Sequence, residues 1–424
     1  MAAMTLPLGR RSLVRPGLRC WASASAALPL AGRRQGAPRG GAVDSRLLNR
    51  WLTKAGSIDH VLQITEDHLG TLDAIHASTA LSRLAREASP RGSELAGDPR
   101  FEALSRRTAS LLQEAPPRAL AAVLWAYARI GHRPSDDALH AWDAACLASL
   151  ERFNEQDLAN SLWALAKLRV DVGEASLEKL AEACARRASG FRPQELVTAL
   201  WAFATLDFYP GAEVIDAMLG AAFARLGGFN AQDFANLLWS CAHLGCEVEE
   251  RLMREAAAGL AARGLRQPGS CTPQNVSNCL WALATMSCHP GDQVMSELLL
   301  VASRRLRDFG PQELTNCLWS CARLSYRPSE AFLGAAADIL ASWGSARLKP
   351  QDTANCLWAL AMLGLHPGEA ALANLGEQAR VQVHRFELRE LEMTSWACAR
   401  FDEAPALRAL SRAVEHELGQ RRGE

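Results

Sequence analysis

The chain has 424 residues, 49% of them hydrophobic, yet only 6% are aromatic and three are tyrosine. Alanine- and leucine-rich sequence without alternating Val/Ile/Thr runs points to a large helical core rather than sheet. No apolar run approaches the roughly 20 residues of a membrane span, so no membrane partner is expected, and 46 basic against 46 acidic residues leave no bulk charge to attract nucleic acid.

Residues 1–43 carry Arg10, Arg11, Arg15, Arg19, Arg33, Arg34 and Arg39 with no Asp or Glu. That is the composition of a disordered organelle transit peptide, and its arginine content favours the mitochondrion, with the chloroplast as the alternative. An unstructured basic leader in a cytosolic protein is the other reading. Without these arginines the remainder carries a net charge of about −7, so contact with a polyanion depends on where the charges lie. Residues 44–114 read as an N-terminal helical capping region with one degenerate repeat, TALSRLAR (79–86), in which Ser82 stands where a tryptophan recurs later. His60, His68 and His76 are spaced by eight, which puts them on different helix faces, and all three are expected in solvent.

From 115 to 405 the sequence is a tandem array. Trp125, Trp163, Trp201, Trp239, Trp281, Trp319, Trp358 and Trp396 recur at steps of 38 residues, with one step of 42 and one of 39. Such a period means stacked supersecondary units that bury their apolar faces against one another. The expected fold is therefore all-α: an α-solenoid of about eight helical-hairpin repeats. With each tryptophan as position zero, a cap residue such as Asn154, Asn230 or Thr272, often followed by proline, starts a first helix eight residues upstream. That helix runs to about five residues past the tryptophan, stopping near Gly131, Gly245 or Gly364. A second helix begins near a recurrent proline at +9: Pro134, Pro210, Pro290, Pro328, Pro367 and Pro405. Residues 406–424 read as a C-terminal cap and tail.

The first helix is apolar around most of its circumference, leaving a polar stripe at −7, −6, −3 and +4. Gln156, Gln194, Gln232, Gln274, Gln312 and Gln351 occupy −7, and Asn160, Asn236, Asn278, Asn316 and Asn355 occupy −3. These amides either satisfy backbone groups of the protein or grip a polymer laid along the array. Position +4 varies, as Arg129, Lys167, Thr205, His243, Thr285, Arg323, Met362 and Arg400. Variation on a uniform face is where selectivity of one ligand unit per repeat could reside. At +24 stand Arg187, Arg225, Arg263 and Arg305, suited either to the C-terminal end of the second helix or to successive phosphates.

The tryptophans read as packing residues between repeats, with base stacking the alternative. Cysteines such as Cys279, Cys317 and Cys356 fill small-residue positions of the repeat and suit buried packing in a reducing compartment. No phosphate loop, nucleophile elbow or metal-ligand set is present, so neither catalytic residues nor a metal or cofactor is expected.

The reiterated phrases ANSLWALAKL (159–168), ANLLWSCAHL (235–244) and TNCLWSCARL (315–324), with the upstream Phe and the downstream Pro, resemble the octotricopeptide repeat family. They are also similar to the helical repeats of organellar FAST-kinase-like and RAP-domain proteins. The resemblance covers about 115–405. It implies a protein that binds single-stranded organellar RNA, with other RNA-processing proteins as further partners, and that acts in transcript stability, processing or translation. The alternative from a different class is an armadillo-like scaffold whose Asn row grips an extended, basic polypeptide.

Overall fold

The computed structural model describes residues 44–88, 95, 97–343, 348–401 and 404–422. The leader at 1–43 lies outside the described residues.

Twenty α-helices and no strand occur among the described residues. The first four are α1 (Ser45–Lys54), α2 (Ile58–Asp67), α3 (Ala74–Glu87) and α4 (Pro99–Leu111). The next eight are α5 (Pro117–Ile130), α6 (Asp136–Ser149), α7 (Glu155–Leu168), α8 (Glu174–Arg186), α9 (Pro193–Thr205), α10 (Ala212–Phe223), α11 (Ala231–Leu244) and α12 (Glu250–Arg266). The last eight are α13 (Pro273–Thr285), α14 (Asp292–Ser303), α15 (Pro311–Arg323), α16 (Glu330–Ser342), α17 (Pro350–Met362), α18 (Glu369–Gln382), α19 (Leu388–Cys398) and α20 (Pro405–Arg422). Odd helices stack on odd helices along the whole array and even on even over most of it, giving the two layers of an α-solenoid.

The tryptophan-bearing helices α5 to α19 all begin at −8. Just upstream, the residue at −10 is an apolar plug. Phe153, Phe191, Phe229, Phe309 and Phe386 are buried there, as are Ala115, Cys271 and Leu348. Helix α3 obeys the same frame around Ser82, from −8 to +5, with Leu72 as its buried plug. Residues 44–111 therefore hold two hairpins stacked in register with the rest, α1–α2 and α3–α4.

Position +6 is left-handed in seven repeats, and in four of them it is not glycine. Gly131, Gly245 and Gly364 adopt φ 82°, 66° and 62°, while Arg169, Asp207, Ser287 and Ser325 take φ 53°, 57°, 54° and 54°. The chain must reverse there whatever residue occupies the site, because the next backbone N–H closes back onto the helix. The N–H of Val170 donates to Leu165, that of Phe208 to Phe203 and that of Tyr326 to Cys321. Four even helices then start from a second glycine at +10, Gly173, Gly211, Gly291 and Gly368, with φ between 82° and 99°.

One histidine departs from expectation. His76 is buried, completes the N-terminal cap of α3 with Asp73, and bonds through Nε2 to the carbonyl of Ser45 at 2.8 Å. It ties α1 to α3 because position −6 of this repeat family closes the capping box. The eleven cysteines of the described residues are free and buried.

Candidate functional site

The outward face of the odd-helix layer is narrower than the sequence pattern suggested. Positions −7, −3, 0 and +4 share a single helical stripe, open in most repeats although Asn278, Asn316, Trp239 and Trp281 are buried, whereas −6 is engaged in the helix start. Asp157 and Asp233 are 6% and 4% exposed. Asp233 accepts from the backbone N–H of Asn230 at 2.9 Å, and Asn230 returns the bond to the N–H of Asp233. Asn154 and Asp157 form the same reciprocal cap. Burial pushes these two carboxyls up from the ordinary range while the cap hydrogen bond pulls them down. Glu313, at the same position, is half-buried. Position −6 thus belongs to the helix start, which is why it repeats, and it leaves the outward stripe.

The Asn row at −3 stays on that stripe. Asn278 and Asn316 are 8% and 6% exposed, and Asn160, Asn236 and Asn355 are half-buried. None of the five side-chain amides forms a hydrogen bond with another described residue; Asn236 and Asn316 lend only their backbone carbonyls, to Ser240 and Ser320. The side chains of Gln156, Gln194, Gln232, Gln274 and Gln351 likewise form no hydrogen bond with another described residue, while Gln312 is engaged. The amide atoms remain open to solvent instead of bonding the described residues, so packing does not explain why Asn recurs at this position.

Next along the stripe stand the tryptophans. Trp239 and Trp281 are buried and the other six half-buried, so each ring packs between repeats and most keep an open edge. The variable +4 residue sits one turn on, where it can cover the ring. His243 stacks on Trp239 with centroids 4.8 Å apart and planes at 23°. The guanidinium of Arg323 lies 5.9 Å from the Trp319 ring and that of Arg400 lies 5.1 Å from Trp396. Arg129 and Met362 are exposed at this position and Lys167 is half-buried. In the three central repeats Thr205 Oγ1, His243 Nδ1 and Thr285 Oγ1 are shielded from solvent and have no hydrogen-bond partner. Burial lowers the pKa of His243, with Asp207 opposing, so the imidazole is neutral at pH 7.

The arginines at +24 are placed elsewhere. Arg225 donates through Nη1 to the carbonyls of Ala188 at 3.3 Å and Phe191 at 3.2 Å, and through Nη2 to that of Ser189. Arg187 reaches the Glu151 carbonyl at 3.0 Å, Arg263 that of Gly227 at 3.0 Å, and Arg305 that of Cys271 at 3.3 Å. Each guanidinium closes the end of its even helix onto the loop that leads into the paired odd helix. Sequence reading missed that the same clamp is made by other residues. Arg107 bonds the Leu72 carbonyl, Gln382 that of Leu348, and Arg421 those of His384 and Phe386. A signal existed, since each lies at +24 or +25 of its repeat, but residue identity changes and the acceptors are backbone atoms.

An array of helical hairpins in two layers, with one polar face repeated along its length, is a tandem-repeat α-solenoid. The chain belongs to the family described as the Tbc2 translation factor, N-terminal domain, which it matches over residues 69–250 and again over 214–346. Two overlapping matches are natural for a tandem array, in which one unit can be laid on another. Among curated proteins none matches the chain. A crystal structure of an engineered protein aligns over 88% of this chain and 97% of that one, at 12% identity and a TM-score of 0.20. No helix of the described residues is long and apolar enough to cross a membrane, and no cluster of potential metal ligands occurs among them.

Proposed function

We propose that the protein binds single-stranded RNA along the outward face of its odd helices and acts in organellar gene expression. Among transcript stability, processing and translation, the family description favours translation. The observation that carries the reading is the row of five Asn amides without a hydrogen-bond partner among the described residues, in register with the tryptophans and the variable +4 residues. Amides offer a donor and an acceptor in each of these five repeats, and an aromatic edge beside them offers a stacking surface. The +4 residues Arg129, Lys167, Thr205, His243, Thr285, Arg323, Met362 and Arg400 would then distinguish one base from another. The arginine-rich leader supports a mitochondrial destination, with the plastid as the alternative.

The test is ultraviolet crosslinking of the tagged protein in its own cells, with sequencing of attached RNA, beside the variant Asn236→Ala/Asn278→Ala/Asn316→Ala. The reading expects a sharp peak on one or a few organellar transcripts, lost in the variant. Background RNA, where a known RNA binder is recovered, overturns it. Recovery of a basic polypeptide on the same face would then favour the armadillo-like scaffold, to which the acidic remainder of the chain is suited.

A further inference from the structure

The two edges of the outward face carry opposite charge. At one edge the even helices end and the odd helices begin, as the clamps from Arg225 to Phe191 and from Arg305 to Cys271 demonstrate. Three of its loops are basic: ARRASGFR (185–192) has three arginines and no acid, ARGLRQPGSCT (262–272) two and none, and ASRRLRDFG (302–310) three with one Asp, while LLQEAPPR (111–118) is balanced and LERFNE (150–155) has two acids to one arginine. At the other edge odd helices give way to even ones, and two of the loops are acidic without a base: LDFYPGAEVID (206–216) has three acids and MSCHPGDQVMSE (286–297) two, while GHRPSDD (131–137), RVDVGE (169–174) and SYRPSE (325–330) each include one arginine.

Helix dipoles account for part of this, since acids suit the start of the even helices and cations their end. They do not account for a second set of cations on the basic edge. Arg118 and Arg389 occupy the second positions of α5 and α19, Lys349 is the cap residue of α17, and Arg152 and Arg307 lie in the turns just upstream of α7 and α15. These are the positive ends of odd helices, where a cation is disfavoured. All five are exposed, and none of their side chains forms an ion pair or hydrogen bond with another described residue. The clamp arginines, by contrast, have donors committed to carbonyls.

We infer that this solvated row of Arg118, Arg152, Arg307, Lys349 and Arg389 carries the phosphodiester backbone of the bound strand, with the clamp arginines as its structural footing. The strand then lies with its phosphates on the basic edge and its bases turned across the Asn row toward the tryptophans and +4. Repulsion from the acidic edge excludes the opposite placement, and an acidic chain still binds a polyanion because the local potential decides. The inference rests on the RNA reading above.

The experiment measures binding of a fluorescein-labelled 20-nucleotide poly(U) and poly(A) to the full chain across a salt series. Wild type is compared with Arg118→Gln/Arg152→Gln/Arg307→Gln/Arg389→Gln, and with a control that removes equal charge from the acidic edge, Arg133→Gln/Arg251→Gln/Arg254→Gln/Arg327→Gln. Each lost phosphate contact on a single strand should lower the salt slope by about 0.7. The basic-edge variant is therefore expected to bind more than tenfold more weakly at low salt, with the slope reduced by up to about 3, while the control keeps the wild-type slope. An unchanged slope in the basic-edge variant, or equal loss in both, overturns the phosphate edge and leaves RNA binding standing. Wild type that binds neither oligonucleotide, and no RNA on crosslinking, overturns the RNA reading itself.

Discussion

His243 lies on the indole of Trp239, 4.8 Å between ring centroids and 23° between planes, with its side chain only 17% exposed. The pair is one helical turn long, and its register places the variable residue of the repeat over the invariant one. Burial holds the imidazole pKa below its ordinary 6.5, so the folded protein binds fewer protons here than the unfolded chain. Stability from this site is therefore present above about pH 6.5 and falls as the pH drops toward the folded pKa. Urea unfolding at pH 7.5 and 5.5 should show a loss at the lower pH that is smaller in His243→Gln. Equal losses in the two proteins would place the pH dependence elsewhere.

Arg225 holds three carbonyls that would otherwise lie at the junction of two hairpins. Replacing it with alanine leaves them without these donors and should destabilise the array by about 1–3 kcal/mol. The exposed Arg307, changed to glutamine, should cost less than about 0.5 kcal/mol. Thermal melts of the two variants side by side check the contrast. Matching melting temperatures would mean the clamp contributes nothing.

Phe234 packs onto Gly259, so closely that a β-carbon on the glycine would collide with its ring. Other repeats place Leu120, Leu158, Leu196 or Leu314 where Phe234 stands, and Ala145 or Ala183 where Gly259 stands. The larger ring and the missing side chain compensate each other. Gly259→Ala alone should cost about 1–3 kcal/mol by overpacking, and Phe234→Leu should restore most of it in the double variant. A double-mutant cycle with no coupling energy contradicts this.

Ser325 adopts φ 54°, a conformation that costs a residue with a β-carbon about 1–2 kcal/mol. Ser325→Gly should therefore raise stability by up to about 1 kcal/mol, the gain being reduced by the greater freedom of glycine in the unfolded chain. Gly364→Ala, at the equivalent position, should lower it by about as much. Chemical denaturation of both variants gives the signs directly.

Much of the architecture was legible in sequence because tryptophan, cap residue and proline recur in fixed order. The starts of the odd helices from α5 to α19 fall at −8 as the Asn154, Asn230 and Thr272 caps imply. The hairpin α1–α2 had no such signal, since it lacks the repeated phrase, and it emerges only from stacking on α3 and α4. Within the candidate site, the −3 and +4 rows could be read from helical periodicity. The inward turn of Asp157 and Asp233 could not, because an acid three residues after a cap fits either the stripe or the capping box. The role of the +24 arginines was hidden for another reason: their acceptors are carbonyl oxygens, which leave no trace in residue identity.

RNA laid on the outward face of the odd helices would be fixed there by a photochemical bond. Mass-spectrometric mapping of the residues that crosslink to RNA under ultraviolet light tests that placement most directly. Attachment is expected within the odd-helix peptides, such as ANSLWALAK (159–167), ANLLWSCAH (235–243) and TNCLWSCAR (315–323), at or beside the Asn and Trp rows. Crosslinks confined to the even helices would contradict that placement.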